Sequence, residues 1–184
     1  ALEGVQALDE AINQFLDKPS ADSFSEAKEA WLAARVHYLQ SEAFRFYGGP
    51  IDDEDGPEGL INAWPLDEAY VDYVAGGAEY GFINQPQKYP EITEELLVSM
   101  NEKEGEENIS AGFHAIEFLL WGQDLYEDTP GRRSYQDYVD APNAQRRATA
   151  LRLMSHRLTR DLQFLVDAWA PNETNYRKRF LAFE

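Results

Sequence analysis

The sequence predicts an all-α fold, a helical bundle of about six to seven helices in which four long helices form an antiparallel up-down bundle joined by short connecting helices. Apolar residues recur at helical spacings of three and four along most of the chain, and no segment alternates apolar and polar residues as a strand does. Gly and Pro clusters separate these periodic segments. The 184 residues, 43% of them hydrophobic, suffice for one domain with a sizeable core, so we expect a single domain over residues 1–184.

The first two helices of the bundle are predicted to be long. A first helix covers about residues 2–16. Ser23-Phe24-Ser25-Glu26 has the pattern of a capping box and predicts the start of a second helix, which continues to about Tyr47. Gly48-Gly49-Pro50 then ends it, because these residues interrupt helical backbone.

The middle of the chain is predicted to hold shorter elements. Residues 52–59 form an acidic loop rich in Gly and Pro. Pro65 at a first helical position, with Asp67 and Glu68 in the first turn, predicts a short helix that ends near residues 76–77. Pro90 opens a further segment that runs through residue 100.

The last third of the chain is predicted to hold the motif helix, at about residues 106–121, and then a loop over residues 122–138. Asp140-Ala141-Pro142 caps a long helix that ends at Ala170-Pro171. A last helix begins near Asn172. The long helix has one apolar stripe at spacings of three and four, formed by Leu151, Met154, Leu158, Leu162, Leu165 and Trp169. In the last helix, Tyr176, Phe180 and Phe183 share a face.

Charge and cysteine content exclude several classes of function. The formal net charge of −18 argues against nucleic acid as a partner, because nucleic acid requires a basic face. The chain has no cysteine, which excludes disulfides, thiolate metal sites and cysteine nucleophiles. Any metal must therefore be bound through nitrogen and oxygen ligands.

The candidate site centres on His114 and Glu117, which lie three residues apart and therefore on one helix face. Apolar residues fall on every side of the helix between residues 109 and 121, so we expect both side chains to be buried. Ser110 is four residues before His114 and extends this polar line. A buried polar pair must be hydrogen-bonded within the core or bound to a ligand.

A second polar line lies on the second helix, where Arg35, Tyr38 and Glu42 follow Trp31 at spacings of four, three and four. If the two lines face each other, Glu42 completes an oxygen-rich His-Glu-Glu metal site, and Arg35 and Tyr38 hold the carboxylates in place.

Two other nearby carboxylates are also candidates. Asp67 is a further candidate ligand, and Glu68, like Ser110, is a candidate for a supporting position. The alternative is a structural network of Arg35, Glu42, Glu117 and His114 that fixes helix register and binds nothing. The zinc-peptidase pattern H-E-x-x-H is absent.

Several separated motifs resemble one family. The segment from Gly112 to Asp124, GFHAIEFLLWGQD, resembles the G-x-H-x-x-E signature region of the imelysin-like proteins, also called peptidase M75 and related to the iron-uptake component of a ferrous-iron transporter. The supporting matches, in chain order, are Glu29-Ala30-Trp31 with Arg35 and Tyr38, Glu42-Ala43-Phe44-Arg45-Phe46, Gly49-Pro50-Ile51-Asp52 and Ile61-Asn62-Ala63-Trp64-Pro65-Leu66-Asp67-Glu68.

The resemblance implies a helical fold of two bundle-like halves, of which this chain is the N-terminal half of a longer domain. It implies a periplasmic or outer-membrane-associated location in the cell envelope and a metal site at His114 and Glu117. The ion is divalent or trivalent, with iron favoured and zinc as the alternative. Partners would be the metal, other envelope or iron-transport proteins, and the C-terminal half of the domain.

Three functions are compatible with these observations. The favoured one is a metal-binding protein that takes part in iron uptake, because a nitrogen and oxygen site suits iron. The alternatives are a metallopeptidase and a non-catalytic interaction module with a structural polar network.

Overall fold

The computed structural model describes residues 1–171 and 174–182, and within these ranges it is helical with no β-strand. None of these helices combines the length and apolar composition needed to cross a bilayer. The all-α prediction is confirmed. The described residues form eight α-helices: α1 (Leu2–Asp17), α2 (Ala21–Leu39), α3 (Glu58–Ile61), α4 (Glu68–Val71), α5 (Glu94–Met100), α6 (Gly112–Trp121), α7 (Ala144–Trp169) and α8 (Tyr176–Leu181). They also form short 3₁₀ helices at Glu42–Phe44, Phe82–Asn84 and Tyr135–Tyr138.

The four longest helices form a closed ring of neighbours. α1 packs against α2 and α7, and α6 packs against the same two helices from the other side. Each contributes an apolar face at spacings of three and four, such as Val5, Leu8, Ile12 and Phe15 of α1, all buried. The core therefore lies between these four helices, as a four-helix bundle requires.

The second helix begins before the predicted capping box. Ser20 is its N-cap, and the Ser23 amide donates to Ser20 Oγ at 3.1 Å while the Ser20 amide donates to Ser23 Oγ at 3.2 Å. Ser23 is thus the third residue of α2 and not its cap. The predicted start was wrong because a serine at this third position can return the capping hydrogen bond that the pattern assigns to glutamate.

The second helix also ends earlier than predicted, at Leu39 instead of about Tyr47. The Ser41 amide and hydroxyl both donate to the Tyr38 carbonyl oxygen, at 2.8 and 2.6 Å, and so tighten the last turn. Phe46 then adopts a left-handed φ of 67°, and its amide donates to the Asp52 carboxylate. Glu42 therefore lies in a separate 3₁₀ turn and not on the face of α2.

The motif helix α6 begins at Gly112 and not near residue 106. Gly112 has a φ of 83°, and a Cβ at this position would lie 2.6 Å from the Ile61 carbonyl oxygen, so only glycine fits here. The prediction that Ser110 lies on this helix was wrong. Ser110 precedes it and donates its hydroxyl hydrogen to the Leu97 carbonyl oxygen at 2.6 Å.

Pro65 and Pro90, which were predicted to begin helical segments, lie before the helices and not inside them. α4 is capped by Asp67, whose carboxylate accepts a hydrogen bond from an amide of the first turn at 3.0 Å, and Pro65 precedes that cap. α4 also ends at Val71, earlier than predicted. α5 is capped by Thr93, three residues after Pro90. Both prolines thus belong to the incoming loops.

The long helix α7 begins at Ala144, and its N-cap is Asn143, with a left-handed φ of 62°, in place of the predicted Asp140-Ala141-Pro142. Leu151, Met154, Leu158 and Leu162 of its apolar stripe are buried, as predicted. The stripe then leaves the core: Leu165 is half-buried and Trp169 is 38% exposed.

The last helix, α8, begins at Tyr176. The predicted start at Asn172 and the predicted face residue Phe183 lie outside the described residues. Tyr176 and Phe180 pack against Trp169 of α7, with ring centroids 4.9 and 5.4 Å apart. α8 therefore covers the exposed end of α7 with aromatic rings.

A buried ionic cluster connects α7 to the segment after α4. Asp72 accepts hydrogen bonds from Arg147 at 2.6 and 3.0 Å, from Arg133 at 2.7 Å and from Asn84 at 2.9 Å. Burial alone raises the pKa of the Asp72 carboxyl, but the hydrogen bonds and positive charges of Arg147 and Arg133 outweigh it and lower the pKa. Asp72 is therefore a buried anion shared by two buried guanidinium groups, and Asp137 Oδ2, at 3.2 Å, is a second carboxylate partner of Arg133.

Candidate metal centre

A cavity of about 490 Å³ opens beside α6 and exposes one face of the motif helix. Its walls come from α2, from the segment around α4, from α6 and from the loop after α6. Gly122 belongs to the loop wall, and a Cβ at this position would lie 3.2 Å from Arg133 Cβ. Arg133 of the ionic cluster, which is buried, therefore packs directly against this wall. The lining residues are Trp31, Leu32, Trp64, Leu66, Glu68, His114, Glu117, Phe118, Trp121, Gly122, Asp124, Pro130 and Gly131.

His114 and Glu117 lie side by side in this cavity, as their spacing predicts. His114 Nδ1 and Glu117 Oε2 are 3.2 Å apart. The expectation that both side chains are buried was wrong, because His114 is 15% exposed and Glu117 is 43% exposed. The apolar residues around them do face the core, but the ridge that carries the pair faces the cavity. The pair is thus accessible to a ligand.

Arg35 of α2 contacts the other side of the imidazole. Its guanidinium nitrogen lies 3.5 Å from His114 Nε2, and it also donates to the Asn62 amide oxygen. Burial lowers the pKa of Arg35, while the charges of Glu42 and Glu117 act in the opposite direction. The polar residues of α2 and α6 therefore meet at the contact between Arg35 and His114. The charges of both Glu42 and Glu117 act on Arg35.

Glu42 is on the same side of the bundle as His114 but does not contact it. The Asn62 amide nitrogen donates to Glu42 Oε1 at 3.4 Å, and Arg45 lies 3.7 Å from the same oxygen. Asn62 and Arg35 thus separate Glu42 from the imidazole. The structure links these groups by hydrogen bonds in series and does not gather them around one point.

Asp67 was the predicted ligand and Glu68 the predicted supporting residue, but of the two it is Glu68 that lines the cavity with His114. The Asp67 carboxylate caps α4, and it lines a neighbouring cavity of about 300 Å³ rather than the one that holds His114. Glu68 lines both cavities. Burial and the nearby Asp124 charge raise the pKa of Glu68, and a hydrogen bond from Gln123 opposes this. Glu68 is therefore the carboxylate from this segment that shares the cavity with His114 and Glu117.

Tyr38 and Ser110 are buried and take no part in the cavity wall. Among the residues that the structure describes, none forms a hydrogen bond with the Tyr38 hydroxyl, and burial raises its pKa well above the ordinary value. The ring packs against Phe113 at 5.2 Å. Ser110 connects α6 to α5 through the Leu97 carbonyl and, through its own amide, Asn101. Both residues hold the elements of the site together.

The His114 and Glu117 pair fits two donors of one metal ion. Two ligands that each lie about 2.1 Å from a metal at angles of about 90–110° are about 3.0–3.4 Å apart, which matches the 3.2 Å observed here. As a hydrogen-bonded pair, Nδ1 donates to the carboxylate and Nε2 accepts from Arg35. A metal bound here would take the place of the Nδ1 proton, and Arg35 would keep Asn62 as a partner with Nε2 protonated.

The structure supplies two donors and not a full set. Among residues 1–171 and 174–182, no three Asp, Glu, His or Cys side chains are arranged to hold one metal ion. A metal at His114 and Glu117 would complete its coordination with water or with groups outside this chain.

Sequence reasoning missed the aromatic walls of the cavity. Trp64 is 68% exposed, and its ring lies 4.8 Å from the His114 ring. Trp31 donates its indole hydrogen to the Phe113 carbonyl oxygen at 3.0 Å and contacts Trp121 edge-on at 5.4 Å. Trp31 is a core residue, as is usual for tryptophan, whereas Trp64 at 68% exposure is not. The sequence feature that could have indicated this wall is the segment Trp64-Pro65-Leu66-Asp67-Glu68 at the start of α4, which supplies Trp64, Leu66 and Glu68 to the cavity.

This helical chain matches a known family. The sequence matches the imelysin family, peptidase M75, over residues 1–183, so the chain belongs to the imelysin family. It is 28% identical over 181 residues to iron-regulated protein A of Synechococcus elongatus. It also resembles, with a TM-score of 0.64 and 27% identity over 92% of the chain, a crystal structure from Parabacteroides distasonis of a protein proposed to be an iron-regulated protein A precursor.

The relatives are longer proteins. The match covers 97% of this chain but 38% of the Synechococcus protein, and 39% of the Parabacteroides chain. The chain thus spans about two fifths of the length of these relatives.

Proposed function

We propose that this chain is a cell-envelope metal-binding protein of the imelysin family that takes part in iron uptake. His114 and Glu117 are the proposed ligands from this chain. The observation that carries the proposal is the 3.2 Å approach of His114 Nδ1 and Glu117 Oε2 on a helix face that opens into a cavity. The names of the two relatives, each an iron-regulated protein A, support iron as the metal.

The chemistry of the donors also supports iron. Imidazole and carboxylate are intermediate and hard ligands that suit iron, and zinc accepts the same pair. The chain has no cysteine with which to select a softer metal. Glu68 and Asp124 are the other carboxylates that line the same cavity, and Glu68 is the proposed candidate for a further oxygen ligand or for a hydrogen bond to a metal-bound water.

The test is a titration with Fe²⁺ under anaerobic conditions at pH 7.5 and 5.5, with and without added salt. A metal binds the neutral imidazole, so protons compete with it, and the affinity of the wild type should be lower at pH 5.5 than at pH 7.5. His114→Ala should bind more weakly at pH 7.5 and lose the pH dependence. The matched control is His37→Ala, because His37 is an exposed histidine of α2 outside the cavity.

The same titration separates specific binding from attraction to the acidic surface. Residues 1–128 hold 28 of the 34 acidic side chains, and such exposed charges bind cations weakly at both pH values and lose them in moderate salt. If His114→Ala matches the wild type at both pH values, His114 is not a ligand. Chelator-sensitive hydrolysis of a peptide would favour the metallopeptidase alternative, and absence of any metal binding would favour a structural network.

A further inference from the structure

Four aromatic rings line part of the cavity beside α6, and Trp64, at 68%, is the most exposed of them. Trp31, Trp64, Trp121 and Phe118 contribute to its surface, and Leu66 adds an aliphatic side chain. Aromatic faces attract cations through the ring quadrupole, and tryptophan does so most strongly. A cavity that served only to hold a hydrated metal ion has no need of this much apolar wall.

The side chains that line the same cavity carry more negative than positive charge. Glu68, Glu117 and Asp124 line it, and among the described residues no Lys or Arg side chain does. The ion pairs seen within residues 1–171 and 174–182 include neither Glu68 nor Asp124. Burial is the largest cause of the raised pKa of Glu68, and the Asp124 charge adds to it, while a hydrogen bond from Gln123 and the charge of Arg133 act in the opposite direction.

The volume exceeds what a metal ion requires. A water molecule occupies about 30 Å³ in the liquid, so an ion with a full shell of six waters takes roughly 180 Å³. The cavity of about 490 Å³ lies instead within the range of about 300–1,000 Å³ that is usual for small-molecule sites. An organic molecule of moderate size fits this space.

We propose that this cavity binds a small organic cation through an amidinium, guanidinium or primary ammonium group, with Trp64 and Trp121 against the organic part and Glu68 and Asp124 facing the charge. Charge-assisted hydrogen bonds to carboxylates and contact with aromatic faces act together on such a group. The inference goes beyond the proposed metal site. It rests on Glu68 and Asp124, not on His114 and Glu117, and it requires no metal.

The test uses benzamidine and its neutral analogue benzamide, which have nearly the same shape and differ in charge. Calorimetric titrations of the full chain are made in the presence of EDTA, and quenching of tryptophan fluorescence is followed in parallel. Benzamidine should bind saturably and benzamide at least about tenfold more weakly, because only the amidinium forms charge-assisted bonds. Glu68→Gln and Asp124→Asn should each weaken benzamidine by about tenfold.

The matched control is Glu127→Gln, which removes an exposed carboxylate three residues beyond Asp124 and outside the cavity lining. It should bind benzamidine like the wild type. Thermal melts of all three variants verify that the fold is retained. Equal binding of benzamidine and benzamide, or unchanged benzamidine binding in both cavity variants, would overturn the proposal. Because EDTA is present throughout, a failure of the proposed metal site leaves this result unaffected.

Discussion

Removing Glu117 should cost this protein little stability, whereas removing Asp72 should cost it a great deal. Both are carboxylates with cationic or polar partners, but their surroundings differ. Glu117 is 43% exposed in an open cavity, and its contact is His114. Asp72 is fully buried and accepts hydrogen bonds from Arg133 and Arg147. The two residues therefore distinguish a ligand-type carboxylate from a structural one.

The magnitudes follow from these environments. A half-exposed pair contributes about 0–1 kcal/mol, so Glu117→Ala should lower the free energy of unfolding by at most about 1 kcal/mol. Asp72→Ala removes the carboxylate that contacts Arg147 and leaves Arg133 with Asp137 alone, which costs about 3–5 kcal/mol. For a chain of this size, 1 kcal/mol corresponds to a shift of about 2–4 °C in Tm.

The assay is thermal unfolding of the wild type and the two alanine variants, followed by circular dichroism at neutral pH without added metal. Glu117→Ala should melt within about 4 °C of the wild type, and Asp72→Ala should melt at least about 6 °C lower. A loss of stability in Glu117→Ala as large as that in Asp72→Ala would refute the reasoning. His114 and Glu117 would then form part of a structural network.

Two further predictions concern pH and backbone conformation. Because the pKa of Asp72 is lowered in the fold, its stabilisation is complete above its unfolded pKa of about 3.9 and is lost as pH falls through the lower folded value. The gap in unfolding free energy between wild type and Asp72→Asn should stay constant from pH 7 to 5 and shrink below about pH 4; shrinkage above pH 5 would contradict it. Gly112→Ala should destabilise by about 2–4 kcal/mol in denaturant titrations, because its φ is 83° and its Cβ would meet the Ile61 carbonyl. Gly76→Ala, with a φ of 78° but open space, should cost about 1 kcal/mol, and equal losses would contradict the close-contact argument.

The fold class and the long helices could be predicted because burial imposes a periodicity on each helix separately. The stripe from Leu151 to Leu162 is buried as its spacing requires. Helix ends were less predictable, since several residue patterns satisfy the same terminal amides. At the start of α2, both Ser20 and Ser23 are suitable N-cap residues, and Ser20 occupies the N-cap position.

The local part of the site was equally predictable, and its long-range part was not. His114 and Glu117 meet because three residues separate them on one helix. Glu42 was placed on the line of Arg35 by assuming that α2 continues, and the turn at Ser41 breaks that line. The Asp67 carboxylate is occupied by the cap of α4. These outcomes depend on hydrogen bonds that periodicity does not report.

The aromatic cavity depends on how loops pack, which the sequence pattern does not encode. Trp64 comes from the segment before α4 and Trp121 from the end of α6, and the loop after α6 closes the space between them. Composition alone assigns tryptophans to the core. The exposure of Trp64 shows that this one is a wall of a site instead.

The most direct test of the central claim is an anomalous-scattering map of crystals of this protein soaked with iron, measured at the iron absorption edge. The account predicts one strong peak about 2–2.2 Å from His114 Nδ1 and from a Glu117 carboxylate oxygen, with Arg35 kept on Asn62. In crystals of His114→Ala soaked in the same way the peak should disappear. Peaks confined to the acidic surface, or a peak at the cavity that survives in His114→Ala, would contradict the assignment of His114 and Glu117 as metal ligands.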